Sequence, residues 1–381
     1  MGMKRLLHVI SNLDVGGAER MLTQLTTAPG GWAEETVVVS LLPGGFHADI
    51  LRRAGVRVVE LNFRTPMGVL SGIRTLVREI RDFRPAVVQG WMYHGDLLGW
   101  LGLALSGRRR QTGLIWSIRC SDMDLSRYGR ALRAVIRACA WLSDRPDLVT
   151  ANSAAGMRAH EALGYRPRRT EIVPNGIDVE RYAPDPHMRM QVRAELGIPA
   201  DAVVVAHVAR VDPMKDHEGF LQAMRAVPDV HALLIGRGTE TLPNAANLHR
   251  LGTRSDVARL LTAADAIVSS SAFGEGFSNA IAEGMACALP AIATDVGDAR
   301  DIIGDTGVVV PPRAPEALVA AIRAFAGQSA EQRGDMGQRA RSRIVDNFTL
   351  ERAVARFAAA YETARRQDGL SGGDTPRSDR R

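Results

Sequence analysis

Lysine is nearly absent from this chain. Of its 48 basic residues only Lys4 and Lys215 are lysine, leaving 46 arginines. Exchange on that scale reflects a genome-wide bias, so an ordinary arginine carries little message and a surviving lysine carries more. Cysteine is scarce too. Cys120, Cys139 and Cys287 lie far apart with no CxxC pair, which argues against a disulfide scaffold or a zinc site and fits a reducing compartment. No apolar stretch approaches the roughly 20 residues of a membrane span. The nearest, Leu97–Ser106, ends in Arg108, Arg109 and Arg110. No signal peptide is expected, because Met1–Arg5 leads into a short strand-like run and then Asn12 and Asp14. The nine histidines are dispersed and include no HExxH. The fingerprints GxGxxG and GxxxxGK[ST] are missing. The expectation is a cytoplasmic protein without a bound metal.

What is present is an ordinary globular composition, 46% apolar and 24% charged over 381 residues. At about 150 residues per domain, that length implies two or three domains. The formal charge of +6 conceals an uneven distribution. Residues 1–170 hold 24 basic and 14 acidic side chains, a balance of +10; the remainder holds 24 and 28, a balance of −4. Such asymmetry suggests that one half faces an anionic partner. Nucleic acid, an anionic membrane and a phosphorylated substrate all fit.

Short β-branched runs alternate with amphipathic stretches along most of the chain. Arg5–Ile10, Thr36–Leu42, Val56–Leu61, Ala86–Gln89, Gly113–Ile118, Leu148–Ala151 and Glu171–Val173 read as strands. A helix is expected over about Gly68–Phe83. After the Pro-rich stretch Tyr182–Pro186 the series restarts with Val203–Val208, followed by His231–Ile235, Asn247–Arg250, Ala266–Ser270, Ala291–Thr294 and Gly307–Val310. Near-continuous apolar strands separated by helices indicate parallel sheets covered on both faces. The fold class is therefore α/β, with two doubly wound, Rossmann-like domains. Residues 1–175 form the first, 176–348 the second and 349–366 a closing helix, while the polar segment 367–381 reads as disordered. The chain is expected to be helical from about Ala314 to Arg366. Two such domains place a ligand cleft between them, at the carboxyl ends of both sheets.

Three segments carry chemistry. The first, SSSAFGEGFSNAIAEGMACALPAIATDVGDARD, spans residues 269–301. A strand ends at Ser270, a loop carries Glu275 and Gly276, and a helix opens near Phe277–Asn279, with Glu283 about two turns into it. Amides at a helix N-terminus suit an anion, and carboxylates accept hydrogen bonds from sugar and ribose hydroxyls. The second, HVARVDPMKDH at 207–217, places Arg210 and Lys215 on a strand-to-helix loop, where two cations can neutralise a diphosphate. The third, NLDVGGAER at 12–20, puts Gly16 and Gly17 after the first strand, where backbone can approach a ligand closely.

Taken in order, GGAER, VPNGID at 173–178, VARVDPMKDH and Glu275-x7-Glu283 resemble glycosyltransferase family 4. These are retaining enzymes of the GT-B fold, and the resemblance covers residues 4–365. WMYHGDLLG at 91–99 and SIRCSD at 117–122 resemble the branch that builds lipopolysaccharide, capsule and related surface polysaccharides. The resemblance implies a nucleotide-sugar donor, UDP- rather than GDP-linked, and no cofactor or metal. It implies that Arg210 and Lys215 bind the donor diphosphate, that Glu283 holds the ribose, and that Glu275 contacts the sugar near the anomeric carbon. It places Phe277, Ser278 and Asn279 at the sugar and phosphate, Gly16 and Gly17 over the diphosphate, and Gly252, Thr253 and Arg254 near the base. The closing helix after Leu350 would return to the N-terminal domain.

One departure stands out. Relatives carry a histidine where this chain reads Ser117–Ser121, so either Arg119 or His94 takes that role, and Arg119 could instead contact phosphate. Asp122-Met123-Asp124 forms a DxD triplet, a metal-binding motif in another glycosyltransferase fold, but it lies in the acceptor domain. The resemblance implies a lipid-linked or oligosaccharide acceptor. Arg108–Arg110, the Arg74, Arg78 and Arg81 helix face, Trp91 and Trp100 are candidates for docking to anionic lipid at the inner face of the cytoplasmic membrane. No nucleic-acid partner is expected, since such a binder would not need the glutamate pair. A GT-B-fold epimerase and a non-catalytic nucleotide-binding subunit are the alternatives. A phosphorylase is disfavoured, because Lys215 is already assigned to phosphate.

Overall fold

The computed structural model describes residues 5–28, 32, 35–121 and 129–366. The expected tail at 367–381, the Asp122–Asp124 triplet and Lys4 lie outside the described residues.

The first half folds as β1 (Leu6–Ile10), α1 (Gly17–Thr27), β2 (Thr36–Ser40), α2 (Phe46–Arg53), β3 (Arg57–Glu60), α3 (Pro66–Phe83) and β4 (Val87–Trp91). It continues with α4 (Met92–Ser106), β5 (Gly113–Ile118), α5 (Arg130–Leu142), β6 (Leu148–Ala151), α6 (Ala154–Ala162) and β7 (Thr170–Ile172). These seven strands pair in parallel in the order β3-β2-β1-β4-β5-β6-β7. Strands such as TVVVS and GLIWSI are buried at every position, because helices cover both faces of the sheet.

The second half repeats the plan. It runs α7 (Pro186–Glu195), β8 (Val203–Val208), α8 (His217–Arg225), β9 (Val230–Ile235), β10 (Leu248–Gly252), α9 (Val257–Leu261) and β11 (Ala266–Ser269). Then follow α10 (Asn279–Ala286), β12 (Ala291–Thr294), α11 (Ala299–Ile303), β13 (Val308–Val310), α12 (Pro315–Ala326), α13 (Ala330–Asn347) and α14 (Leu350–Ala364). Six strands pair in the order β10-β9-β8-β11-β12-β13.

The expected uninterrupted helical tail is broken twice, and capping chemistry explains both breaks. Ser329 and Gln332 form a reciprocal capping box that starts α13, and the Thr349 hydroxyl caps α14. This second break lets the chain change domains. Ile177 N–H donates to Phe348 O at 2.8 Å and Leu350 N–H donates to Ile177 O at 3.0 Å, so the two interdomain crossings pair with each other. Helix α14 then packs on the first sheet. It contributes Ala353, Phe357, Ala360, Tyr361 and Ala364 to the core built on Leu6, Ile10, Trp91 and Val173. The Tyr361 hydroxyl donates to Gln89 Oε1 at 2.7 Å inside that core.

Each sheet reverses its winding direction once, between β1 and β4 and between β8 and β11. Loops leaving the strands at such a switch point diverge to opposite faces and leave a crevice. The two crevices define where the site is built.

Candidate active site

The loop after β8 is held from below. Asp212 caps the turn Pro213–Lys215 through Met214 N–H at 2.9 Å. Asp216 takes the left-handed conformation, φ 45°, and its carboxylate caps α8 through Gly219 N–H at 3.1 Å. The Ser270 hydroxyl donates to Lys215 O at 2.8 Å, and His207 Nε2 lies 3.0 Å from the same hydroxyl. Burial lowers the pKa of both His207 and its neighbour His217, so this support is uncharged. The Lys215 side chain leaves the loop and its ammonium meets Glu275 Oε1, which also accepts the Ser271 hydroxyl at 2.6 Å. Arg210 is half exposed and pairs with Asp212 at 3.2 Å. The two cations expected at the diphosphate thus share one loop, and one already faces a carboxylate from the switch-point partner strand.

Glu275 precedes α10 by four residues, and Glu283 lies four residues into it. Glu283 is therefore about one turn into the helix rather than two, because the chain stays irregular through Ser278. The Ser278 side chain does not cap α10, so its first amides remain available to an anion. Phe277 is buried against Phe348, with ring centroids 5.4 Å apart, and anchors the loop through its side chain. Asn279 Oδ1 accepts from Asn175 Nδ2 at 2.8 Å. Glu283 is 4% exposed, and Arg20 Nη1 of the first domain lies 2.6 Å from its Oε1. Burial raises the Glu283 pKa, opposed by Arg20 and Tyr182.

The first domain faces this loop with its own switch point. A Cβ on Gly16 would meet only the Glu19 carboxylate, the movable end of a flexible side chain, and Gly17 faces open space. Gly17 is thus the position where backbone is free to meet a ligand. His94 is half-buried in the first turn of α4, and burial lowers its pKa, so the imidazole is neutral. Arg119 packs over the rings of Trp91 and Phe357, at 5.5 and 5.8 Å, and its guanidinium meets Asn175 Oδ1. Burial lowers its pKa to about 9. Arg119 also donates to Val173 O at 3.4 Å, and through Asn175 it reaches Asn279. Gly252, Thr253 and Arg254 sit at the carboxyl end of β10, with Arg254 exposed and paired with Asp256 at 2.7 Å. Trp91, proposed for lipid contact, is fully buried, because its indole N–H donates to His8 Nδ1 at 3.1 Å inside the core.

Four polar contributors escaped the sequence reading: Arg20, Asn175, Ser121 and Asp298. All four lie inside motifs already named: Arg20 in GGAER, Asn175 in VPNGID, Ser121 in SIRCSD and Asp298 in the 269–301 segment. Ser121 donates through its hydroxyl to Glu275 O, and Asp298 reaches into the first domain.

The chain matches two sequence-family profiles in tandem. Residues 15–181 match "Glycosyltransferase Family 4" and residues 202–328 match "Glycosyl transferases group 1". The chain belongs to the family 4 glycosyltransferases. This glycosyltransferase chain is 32% identical, over 58% of its length and 53% of the relative's, to a D-inositol 3-phosphate glycosyltransferase of Geodermatophilus obscurus. It spans about half the length of the curated relatives it matches. Its fold matches that of Anabaena HepE in complex with UDP-glucose, with a TM-score of 0.80 at 21% identity over 95% of this chain and 100% of that one. It also matches the lipopolysaccharide outer core galactosyltransferase WaaB, with a TM-score of 0.67 at 14% identity over 95% and 99% of the two chains. The architecture is GT-B, two Rossmann-like domains facing one cleft. Among the described residues no group of three or more His, Cys, Asp and Glu could hold a metal ion, and no helix is long and apolar enough to cross a membrane.

Proposed function

We propose that this protein transfers a hexose-type sugar, with retention of configuration, from a UDP-sugar to a hydroxyl of a lipid-linked or oligosaccharide acceptor in surface-polysaccharide biosynthesis. The observation that carries the proposal is the Lys215–Glu275 contact beside the uncapped N-terminus of α10. A diphosphate placed there meets Lys215, Arg210 and helix amides, while Glu275 and Glu283 remain as acceptors for sugar and ribose hydroxyls. In the reaction the bond from the anomeric carbon to the phosphate oxygen breaks, and its electron pair stays on the leaving UDP. The acceptor oxygen bonds to the anomeric carbon on the same face, and its proton passes to the departing phosphate. Lys215, Arg210 and the α10 amides offset charge that grows only as that bond breaks, which is the condition for lowering the barrier. The neutral His94 is suited to orient the acceptor, and Arg119 to hold Asn175 and thereby the start of α10.

Thermal-shift measurements against UDP-, GDP-, ADP- and CMP-sugars test the reading. Stabilisation by a UDP-sugar, lost in Lys215→Ala, is the expected result; no shift with any nucleotide sugar would defeat it. A soluble phosphorylated acceptor is a second reading, supported by the name of the Geodermatophilus relative. UDP release stimulated by an inositol phosphate, but not by a lipid-linked acceptor, would favour it.

For the acceptor side we place the protein at the inner face of the cytoplasmic membrane. Helices α3, α4 and α5 lie side by side. Their solvent face carries Arg74, Arg78, Arg130 and Arg137, with Asp82 as its one exposed acidic residue, and Met67, Leu70, Leu105 and Trp141 stand out as exposed apolar groups. Arginine with a protruding tryptophan is the composition that binds an anionic bilayer surface.

A further inference from the structure

We infer that Asp298 is a cross-domain positioning residue, which ties closure of the first domain to the loop that carries Glu275. Asp298 stands at the N-cap position of α11, where aspartate ordinarily caps its own helix, yet its side chain makes no such bond. It crosses the cleft instead. Its Oδ2 accepts from Ala154 N–H at 2.8 Å and its Oδ1 from Ala155 N–H at 2.9 Å. These are the first two amides of α6, a helix of the other domain whose third amide is capped locally by Ser153 at 2.9 Å. A carboxylate on two helix N-terminal amides makes two charge-assisted hydrogen bonds in the favourable field of the helix dipole. Asp298 is 6% exposed, so the contact forms in a site largely closed to water.

The same residue is bound to the reaction loop. Asp298 N–H donates to Gly276 O at 3.2 Å. Gly297 just before it has φ 65°, and a Cβ there would lie 2.4 Å from Glu275 O and 2.6 Å from Gly276 O, so no side chain fits between the two loops. Asn152 and Ser153, at the mouth of α6, pack against the other side of Gly276, where a Cβ would stand 3.1 Å from each. The Ser121 hydroxyl meets Glu275 O from the same domain. The Glu275–Gly276 backbone is therefore held between the Asp298 loop and the first domain, and separating α6 from Asp298 frees it on its first-domain side. Burial pushes the Asp298 carboxyl above its ordinary range, against the pull of the two amides. The contact is thus made at a desolvation cost, which suits a clasp that opens and closes.

This inference rests on the transferase reading for its effect on catalysis, but the clasp itself is tested without any ligand. Small-angle X-ray scattering of the full, unliganded chain compares wild type, Asp298→Ala and Ser153→Ala. Asp298→Ala leaves two α6 amides without their partner and should raise the radius of gyration by about 1 Å on the roughly 21 Å expected for a chain of this length. Ser153→Ala removes the local cap of the same helix and should lower the melting temperature without changing the scattering. UDP-glucose titrations should show about tenfold weaker binding in Asp298→Ala, with Asp298→Asn, which keeps one acceptor oxygen, in between. If Asp298→Ala matches Ser153→Ala in both scattering and affinity, the residue is only a helix cap and the inference falls. If wild type binds no nucleotide sugar while Asp298→Ala still expands, the transferase reading falls and the clasp stands.

Discussion

Arg20 of the first domain lies 2.6 Å from Glu283 of the second, the carboxylate proposed to hold the ribose. The guanidinium also lies 5.9 Å over the Tyr182 ring and donates to its hydroxyl at 3.4 Å. The carboxylate is therefore oriented by a cation from across the cleft. Removing that cation leaves a buried, unpaired charge. Arg20→Ala should cost about 1–3 kcal/mol, less than the roughly 3–5 kcal/mol of a fully buried pair, because the Arg20 side chain is 32% exposed. Urea denaturation measures the cost, and an unchanged midpoint would show that the pair contributes nothing.

Glu283 also predicts a pH dependence. Its folded pKa is raised above the ordinary glutamate value, chiefly by burial. The native state then holds the proton more tightly than the unfolded chain, so stability falls as pH rises from the ordinary value through the raised one. Glu283→Gln has no such group. Its stability relative to wild type should increase over that window and level off above it, while its affinity for a UDP-sugar drops. A constant difference between the two proteins from pH 4 upward would contradict this.

His8 works in the opposite direction. Burial lowers its pKa to about 3, and Trp91 Nε1–H donates to its Nδ1 at 3.1 Å. The unfolded chain takes up the proton first, near pH 6.5. Stability is full above that pH and should fall by up to about 1.4 kcal/mol per pH unit as pH drops from 6.5 toward 3. His8→Asn should flatten that slope in urea titrations at stepped pH.

Lys215 tests whether an ammonium is needed or only a positive charge. Its nitrogen shares Glu275 Oε1 with the Ser271 hydroxyl in a space fitted to a compact donor. Lys215→Arg keeps the charge but brings a planar fork, and should lower kcat/KM for UDP release by about 10²–10³-fold. A drop under threefold would mean that charge alone suffices.

The membrane face is tested with vesicles of phosphatidylglycerol and phosphatidylcholine. Arg130→Glu with Arg137→Glu should weaken binding by tenfold or more at low salt, at about 1 kcal/mol per arginine. Trp141→Ala should weaken it further without altering the salt dependence. Binding unaffected by all three changes would remove α5 from the interface.

Besides its apolar face, helix α14 meets the first sheet through the buried Tyr361 hydroxyl. Tyr361→Phe removes the donor to Gln89 Oε1 and leaves that acceptor unpaired in the core, at a cost of about 1–3 kcal/mol. A change smaller than 0.5 kcal/mol in urea would show that the oxygen finds another partner.

Much of this was written along the chain. The apolar runs from Leu6 to Val310 announced two parallel sheets, because strands covered on both faces must be apolar throughout. Strand ends were displaced by up to two residues, since the last residues of a strand differ little in composition from the loop that follows. The lone lysine of HVARVDPMKDH and the Glu275-x7-Glu283 spacing pointed to one candidate site, because loops after parallel strands open at the same edge. The depth of Glu283 in α10 was not legible, since where a helix begins depends on whether Ser278 caps it.

The residue types, the strand periodicity and the short motifs are local properties, and they were enough to give the two-domain plan and to single out the Lys215 loop as a candidate. The partners across the cleft are not local. Arg20 and Glu283 are 263 positions apart, Asp298 and Ala154 are 144 apart, and Asn175 and Asn279 are 104 apart. Nothing in the spacing of such pairs marks them, because the distance between them depends on how two separately folded sheets settle against each other. That docking is a matter of shape and charge over whole surfaces, and only folding brings it about.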